Sequence, residues 1–259
     1  MSTLSTLFLL NLALLGGLIL FAWLLSLVLR DASIMDVFWG VSFVVVAWSD
    51  LLVAGRTSPR AWLVVALTTI WGLRLAGYLA WRKFGQPEDH RYRAFREQFG
   101  RHFWLLSLFV VFILQGILIW VVSWPLPWAM IGTAPLGLLD VVGAGVWAIG
   151  FAFEAIGDFQ LQRFKATAAN RGQVMDQGLW RYTRHPNYFG DFLLWWGLFI
   201  IAVGGGAPWW VIVSPLVMSV LLMRVSGVSL IERSLAQSKA GYQEYVTRTS
   251  PFFPWPPRG

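Results

Sequence analysis

Apolar runs of eighteen residues or more recur from one end of this 259-residue chain to the other. Each is long enough to cross a hydrocarbon core of about 30 Å as a helix. In lipid, every backbone N–H and C=O must be satisfied inside the segment or inside a closed barrel. Barrel strands are short and alternate in polarity, whereas these runs are long and continuous, so they read as helices. The expected fold class is all-α: a polytopic membrane protein. Charged residues make up only 13% of the chain, about half the share in a soluble domain.

Seven spans are expected, near 4–29, 34–54, 61–82, 103–124, 136–162, 188–203 and 207–230. They fill one integral membrane domain, 1–259, with no soluble domain, no low-complexity tract and no internal repeat. The first run has no basic flank before it and no small-residue cleavage site after it. It is expected to be a retained helix rather than a signal peptide. The chain has no Cys, which removes a disulfide scaffold, thiol catalysis and Cys-ligated metals. His90, His102 and His185 are too scattered to suggest a metal site.

Loop charge sets the expected orientation. Arg82, Lys83, Arg91, Arg93, Arg96 and Arg101 crowd one loop, and Arg163, Lys165, Arg171, Arg181 and Arg184 another. The loops near 125–135 and 204–207 carry no charge. Basic loops stay in the cytoplasm, so the N-terminus is expected outside and the C-terminus in the cytoplasm. Arg56 and Arg60 fall on the opposite side and are the exception. The net charge of +7 is explained by this asymmetry and by attraction to membrane lipid, so nucleic acid is not an expected partner.

Charged groups inside spans cost about 2.5–3.5 kcal/mol each on insertion scales and mark function by default. Asp36 opens the second span, where a helix-capping role is the structural alternative. Arg74, Tyr78 and Arg82 recur at i, i+4 and i+8 and share one helix face with Trp71. Glu154, Asp158 and Lys165 recur along the fifth span, placed for ribose hydroxyls, a cation or a neighbouring Arg. The densest signal is Gly178-Leu179-Trp180-Arg181-Tyr182-Thr183-Arg184-His185-Pro186-Asn187-Tyr188-Phe189-Gly190-Asp191. Pro186 suits a first helical turn, and the helix N-terminus beside Arg184 makes an anion site. Asn187 and Asp191 share a face and offer amide and carboxylate contacts. Glu232 follows, then Tyr242, Tyr245 and a Pro- and Phe-rich ending that reads as an interfacial anchor. No Gly-x-Gly-x-x-Gly turn is present to hold a dinucleotide in the Rossmann manner.

The stretch from Gly178 to Asp191, with Asp158 upstream and Glu232 to Tyr245 downstream, resembles the steroid 5-alpha-reductase family, in particular its bacterial branch. Intramembrane sterol reductases carry a similar Arg-His-Pro-Asn-Tyr-x-Gly-Asp. The resemblance implies seven helices in a bacterial inner membrane and NADPH bound from the cytoplasmic side. It also implies reduction of a carbonyl-conjugated C=C bond in a hydrophobic, steroid-like or isoprenoid-like substrate entering from the bilayer. On the same resemblance, Asp158, Lys165, Asn187 and Asp191 help hold NADPH, joined by Tyr78 and Arg82 and supported by Arg74 and Glu154. Trp180, Tyr182, Arg184, His185 and Tyr188 line the crevice, and Glu232 sits on its rim.

Asp36 stands where the family has a Glu that meets the substrate carbonyl, and Trp71 falls near the place of the family's Tyr. The expected catalytic set is therefore a protonated Asp36 beside apolar Phe38 and Trp39, with an indole N–H from Trp39 or Trp71. Two rivals are carried forward. One is an S-adenosylmethionine-dependent membrane methyltransferase of the isoprenylcysteine or phospholipid type, which has a similar Arg-x-Pro-x-Tyr-x-Gly turn. The other is a non-enzymatic scaffold.

Overall fold

The computed structural model describes residues 2–55, 58–225, 239 and 241–258. Among them, six helices are long and apolar enough to cross a membrane. They are α1 (Thr3–Leu29), α2 (Ile34–Ala54), α3 (Pro59–Lys83), α4 (His90–Ile131), α5 (Leu138–Ala166) and α6 (Pro186–Gly204). A shorter apolar helix, α7, runs over Trp209–Arg224, and α8 (Tyr242–Arg248) lies near the C-terminus. The all-α expectation stands with six spans and this shorter helix. The expected seventh span continued to residue 230, and its end lies outside the described residues.

The chain forms two compact units, residues 1–138 with 201–211, and residues 139–200 with 212–259. In the first unit α2 and α3 pack through two glycines. A Cβ on Gly40 would lie 2.5 Å from the Gly72 carbonyl oxygen, and one on Gly72 would lie 2.7 Å from the Gly40 oxygen. Without a hydrophobic drive between helices in lipid, such small residues let backbones approach and gain dispersion contact. A buried polar pair ties α1 to α2: Asn11 Nδ2 donates to Asp50 Oδ1 at 2.9 Å.

Helix α4 begins at His90, well before the span expected from 103. Its first turns, His90–Phe99, are amphipathic and basic and end at Gly100 (φ 51°); the apolar stretch resumes as helix at Phe103, where the span is expected. A π-helical turn interrupts it at Leu108–Ile113. Arg60, the exception to the loop-charge pattern, is 1% exposed. Its Nη1 and Nη2 donate to the carbonyl oxygens of Ala134 and Pro135 at 2.8 and 3.0 Å. It staples a loop and carries no orientation signal. Arg56 lies outside the described residues.

In the second unit α5 and α6 run antiparallel along a glycine seam. Gly143, Gly150 and Gly157 on α5 recur every seventh residue and face Gly197, Gly190 and the start of α6. A Cβ on Gly190 would lie 2.4 Å from the Glu154 backbone nitrogen and 2.5 Å from the Gly150 oxygen. One on Gly197 would lie 2.6 Å from the Gly143 oxygen. A sevenfold repeat keeps one face of each helix on its partner. The two backbones therefore meet closely enough to bring Asp158 onto the first turn of α6.

Candidate functional site

Two polar clusters stand out, one in each unit. In the first, Asp36 lies in the opening turn of α2. Arg91 Nη2 donates to its Oδ2 at 2.7 Å, and the Tyr92 hydroxyl donates to its Oδ1 at 2.6 Å. Gln115 Nε2 in turn donates to the Tyr92 oxygen at 3.3 Å. The corner between α1 and α2 holds this arrangement. The Ala32 N–H donates to Glu88 at 2.8 Å and the Asp89 N–H to Ser33 Oγ at 2.8 Å. Lys83 pairs with Asp31, and Arg96 with Glu88, each at 2.8 Å.

Burial pushes the carboxyls of Asp31, Glu88 and Asp89 up. Hydrogen bonds and charge from Lys83 and Ser33, from Arg96 and from Arg91 outweigh it and hold all three below the ordinary carboxylate range. Their hold on the corner is therefore present at neutral pH and lost only as pH falls below that range.

The structure gives each residue of the expected catalytic set a definite place. Asp36 does not stand alone among apolar rings, because both its oxygens accept hydrogen bonds from α4. Trp71 is 1% exposed and packs on Phe43 at 5.5 Å between ring centroids, with Trp39 on the other edge of Phe43 at 5.8 Å. The two indoles belong to an aromatic core, and the phenol beside Asp36 is Tyr92. Sequence reading missed Tyr92 because Arg91-Tyr92-Arg93 reads as loop charge. Its signal was the tyrosine itself, one residue inside an amphipathic start to α4.

The expected face of α3 does form. Tyr78 lies between two guanidinium groups, with Arg74 at 5.7 Å and Arg82 at 5.5 Å from its ring centroid. Cations over an aromatic face are held by its quadrupole, so this stripe offers two positive charges fixed about one ring.

In the second unit the stretch from Gly178 to Asp191 turns back onto the chain's own C-terminus. Trp180 Nε1 donates to the Gly157 oxygen at 3.0 Å, and the Tyr245 hydroxyl donates to the Trp180 oxygen at 2.5 Å. Thr183 bridges to Ser250, its hydroxyl donates to Phe252 O at 2.8 Å, and the Trp255 N–H donates to Tyr182 O at 2.9 Å. Phe252 is 5% exposed and packs on Phe189 and Phe192. The Pro- and Phe-rich ending, expected as an interfacial anchor, also clasps this turn. Phe253 and Trp255 remain exposed.

Arg184 is buried, and its Nη1 donates to the carbonyl oxygens of Val246 and Thr249 at 3.0 and 2.6 Å. That nitrogen holds α8 against the turn expected to line the cofactor crevice. His185 is buried and stacks on Tyr188 at 5.5 Å. Asn187 Nδ2 donates to Asp158 Oδ1 at 3.1 Å. The Asn187 oxygen is buried and meets no hydrogen-bond donor among the described residues. Asp191 lies one turn further along α6, half-buried, and Glu154 and Asp158 are buried on α5. Lys165 is exposed at the end of α5, as are Arg163, Arg171, Arg181 and Tyr182. Glu232 lies outside the described residues.

The sequence profile of DUF1295, a family described as a protein of unknown function, matches residues 22–249. The chain belongs to the DUF1295 family. The matched stretch contains both polar clusters, from Asp36 and Tyr92 to Asp158 and Asn187. No curated protein and no solved structure matches this DUF1295 member.

Proposed function

We propose that this protein is an NADPH-dependent membrane reductase acting on a carbonyl-conjugated C=C bond of a lipid-soluble, steroid-like or isoprenoid-like substrate. The observation that carries the reading is the Asp158–Asn187 pair. An amide oxygen without a donor, buried beside a carboxylate, is costly unless a ligand supplies the missing hydrogen bond. Hydroxyl and carboxamide N–H groups, which a nicotinamide dinucleotide carries in number, are donors of that kind. Exposed Arg163, Lys165, Arg171 and Arg181 in the same unit supply the positive charge that its phosphates require.

Asn187 and Asp158 would hold the cofactor through its hydroxyl or amide groups, with Asp191 one turn along. Tyr188, stacked on His185, presents an aromatic face in the same turn. When bound, NADPH supplies a hydride; the protein supplies placement and electrostatics. In the first unit, Asp36 orients two donors, the Arg91 guanidinium and the Tyr92 hydroxyl. As the β-carbon of an enone gains hydride, negative charge develops on the carbonyl oxygen, and donors fixed in advance in a dry site stabilise it. To give its proton to that oxygen the Tyr92 hydroxyl turns away from Asp36, to which it donates in this structure, and the Arg91 guanidinium faces the phenolate left behind.

The test is NADPH affinity in Asn187→Ala, read by cofactor fluorescence on the detergent-purified protein. Losing both the amide donor and acceptor is expected to weaken binding about tenfold, the scale of one to two hydrogen bonds. Affinity equal to wild type would place the cofactor elsewhere.

A further inference from the structure

Two clefts lie along one seam between α1 and α4. The upper one, of about 330 Å³, is lined by Ser26, Arg30, Arg96, Phe103 and Trp104 among others. The lower one, of about 290 Å³, is lined by Gly16, Ile19, Leu20, Leu108 and Gly116 among others. On α1 these positions step by three and four residues, so both clefts open on a single face of that helix. Trp23 joins them, donating from Nε1 to the Trp104 oxygen at 2.9 Å.

The two ends differ in chemistry. Arg96 is already matched by Glu88 at 2.8 Å and lies over the Phe103 ring at 4.4 Å. Arg30 is exposed at the C-terminus of α1. Its guanidinium makes no hydrogen bond or ion pair among the described residues. The upper cleft therefore carries one uncompensated positive charge, with Trp104 at the level where tryptophans meet lipid headgroups. The lower cleft is apolar, and the π-helical turn at Leu108–Ile113 lies along its α4 wall. Arg30 stands fourteen residues from Gly16, about 21 Å along the helix. That matches half the thickness of a bilayer with its headgroups, about 20 Å.

We infer that the α1–α4 seam is a binding site for an anionic phospholipid, its phosphate on Arg30 and one acyl chain lying past Leu20 and Leu108 to Gly16. The site is independent of the proposed reductase chemistry. A charged head, a tryptophan at the headgroup level and an apolar channel of one leaflet's depth fit a phospholipid and leave a soluble anion without contacts below the head.

The experiment is native mass spectrometry on the delipidated, detergent-purified full chain. It is titrated with phosphatidylglycerol or phosphatidylcholine of identical chains, and with glycerol phosphate as a chainless competitor. Phosphatidylglycerol is expected to bind about fivefold tighter than phosphatidylcholine, the scale of one Arg–anionic lipid contact at a membrane surface. Arg30→Gln is expected to erase that preference, and Arg30→Lys to keep it. Gly16→Leu is expected to weaken both lipids alike. A Cβ at Gly16 meets nothing within 4 Å, so the larger side chain fills the channel without disturbing the helix. Equal binding of the two lipids, an unchanged preference in Arg30→Gln, unchanged binding in Gly16→Leu, or displacement by glycerol phosphate at lipid-like concentrations would each overturn the site.

Discussion

Gly190→Ala is expected to lower the stability of the second unit by about 3 kcal/mol or more, beyond the usual 1–3 kcal/mol for an overpacked core. The added Cβ would meet the Glu154 nitrogen at 2.4 Å and the Gly150 oxygen at 2.5 Å. Both are backbone atoms of α5, so relief requires the helices to part rather than a side chain to turn. Parting them also pulls Asn187 from Asp158, so the variant is expected to lose cofactor binding together with stability. Gly145→Ala is the control. It sits on the partner helix α5 with nothing within 4 Å of its Cβ, and alanine there gains helix propensity of roughly 0.5–1 kcal/mol. Thermal unfolding followed by tryptophan fluorescence separates the two, and equal melting of Gly190→Ala and wild type would refute the close seam.

The second large effect concerns turnover. Tyr92→Phe removes the hydroxyl that Asp36 holds at 2.6 Å and leaves the ring in place. Loss of one preorganised donor to a developing oxyanion costs about 10²–10³ in kcat. NADPH consumption with a 3-oxo-4-ene steroid as probe is therefore expected to fall by that factor, while NADPH affinity stays at the wild-type value. Asp36→Asn is expected to fall less, because an amide oxygen still accepts from Tyr92 although the charge facing Arg91 is gone. Undiminished turnover in Tyr92→Phe would remove the phenol from the chemistry and return attention to the indoles of Trp39 and Trp71.

The spans were legible because lipid leaves a chain few options, and hydropathy reports them directly. The turn at Pro186 was legible for a local reason, since proline starts helices and its neighbours are strictly sequential. The glycine seam was also written in the sequence, as Gly143, Gly150 and Gly157 against Gly190 and Gly197. It becomes visible only when a period of seven is sought among small residues, whereas hydropathy scores a glycine as neutral. The Asp36–Tyr92 bond was not legible, because 56 positions separate its partners and α4 starts in what reads as a basic loop. Arg184 shows the same limit from the other side: a local reading places it at an anion site and gives no sign that its Nη1 also binds carbonyl groups sixty-odd residues away. Long-range pairing decides such roles, and periodicity carries no information about it.

A thermal-shift titration of the detergent-purified protein with NADPH, NADH and S-adenosylmethionine tests the proposal that the second unit holds a phosphorylated nicotinamide cofactor. A ligand that binds only the folded state stabilises it by mass action, by about 2.7 kcal/mol at a hundredfold excess over Kd, and so raises the melting temperature. The account predicts stabilisation by NADPH, less by NADH, which lacks the 2′-phosphate, and none by S-adenosylmethionine. Stabilisation by S-adenosylmethionine alone, or by none of the three, would contradict it.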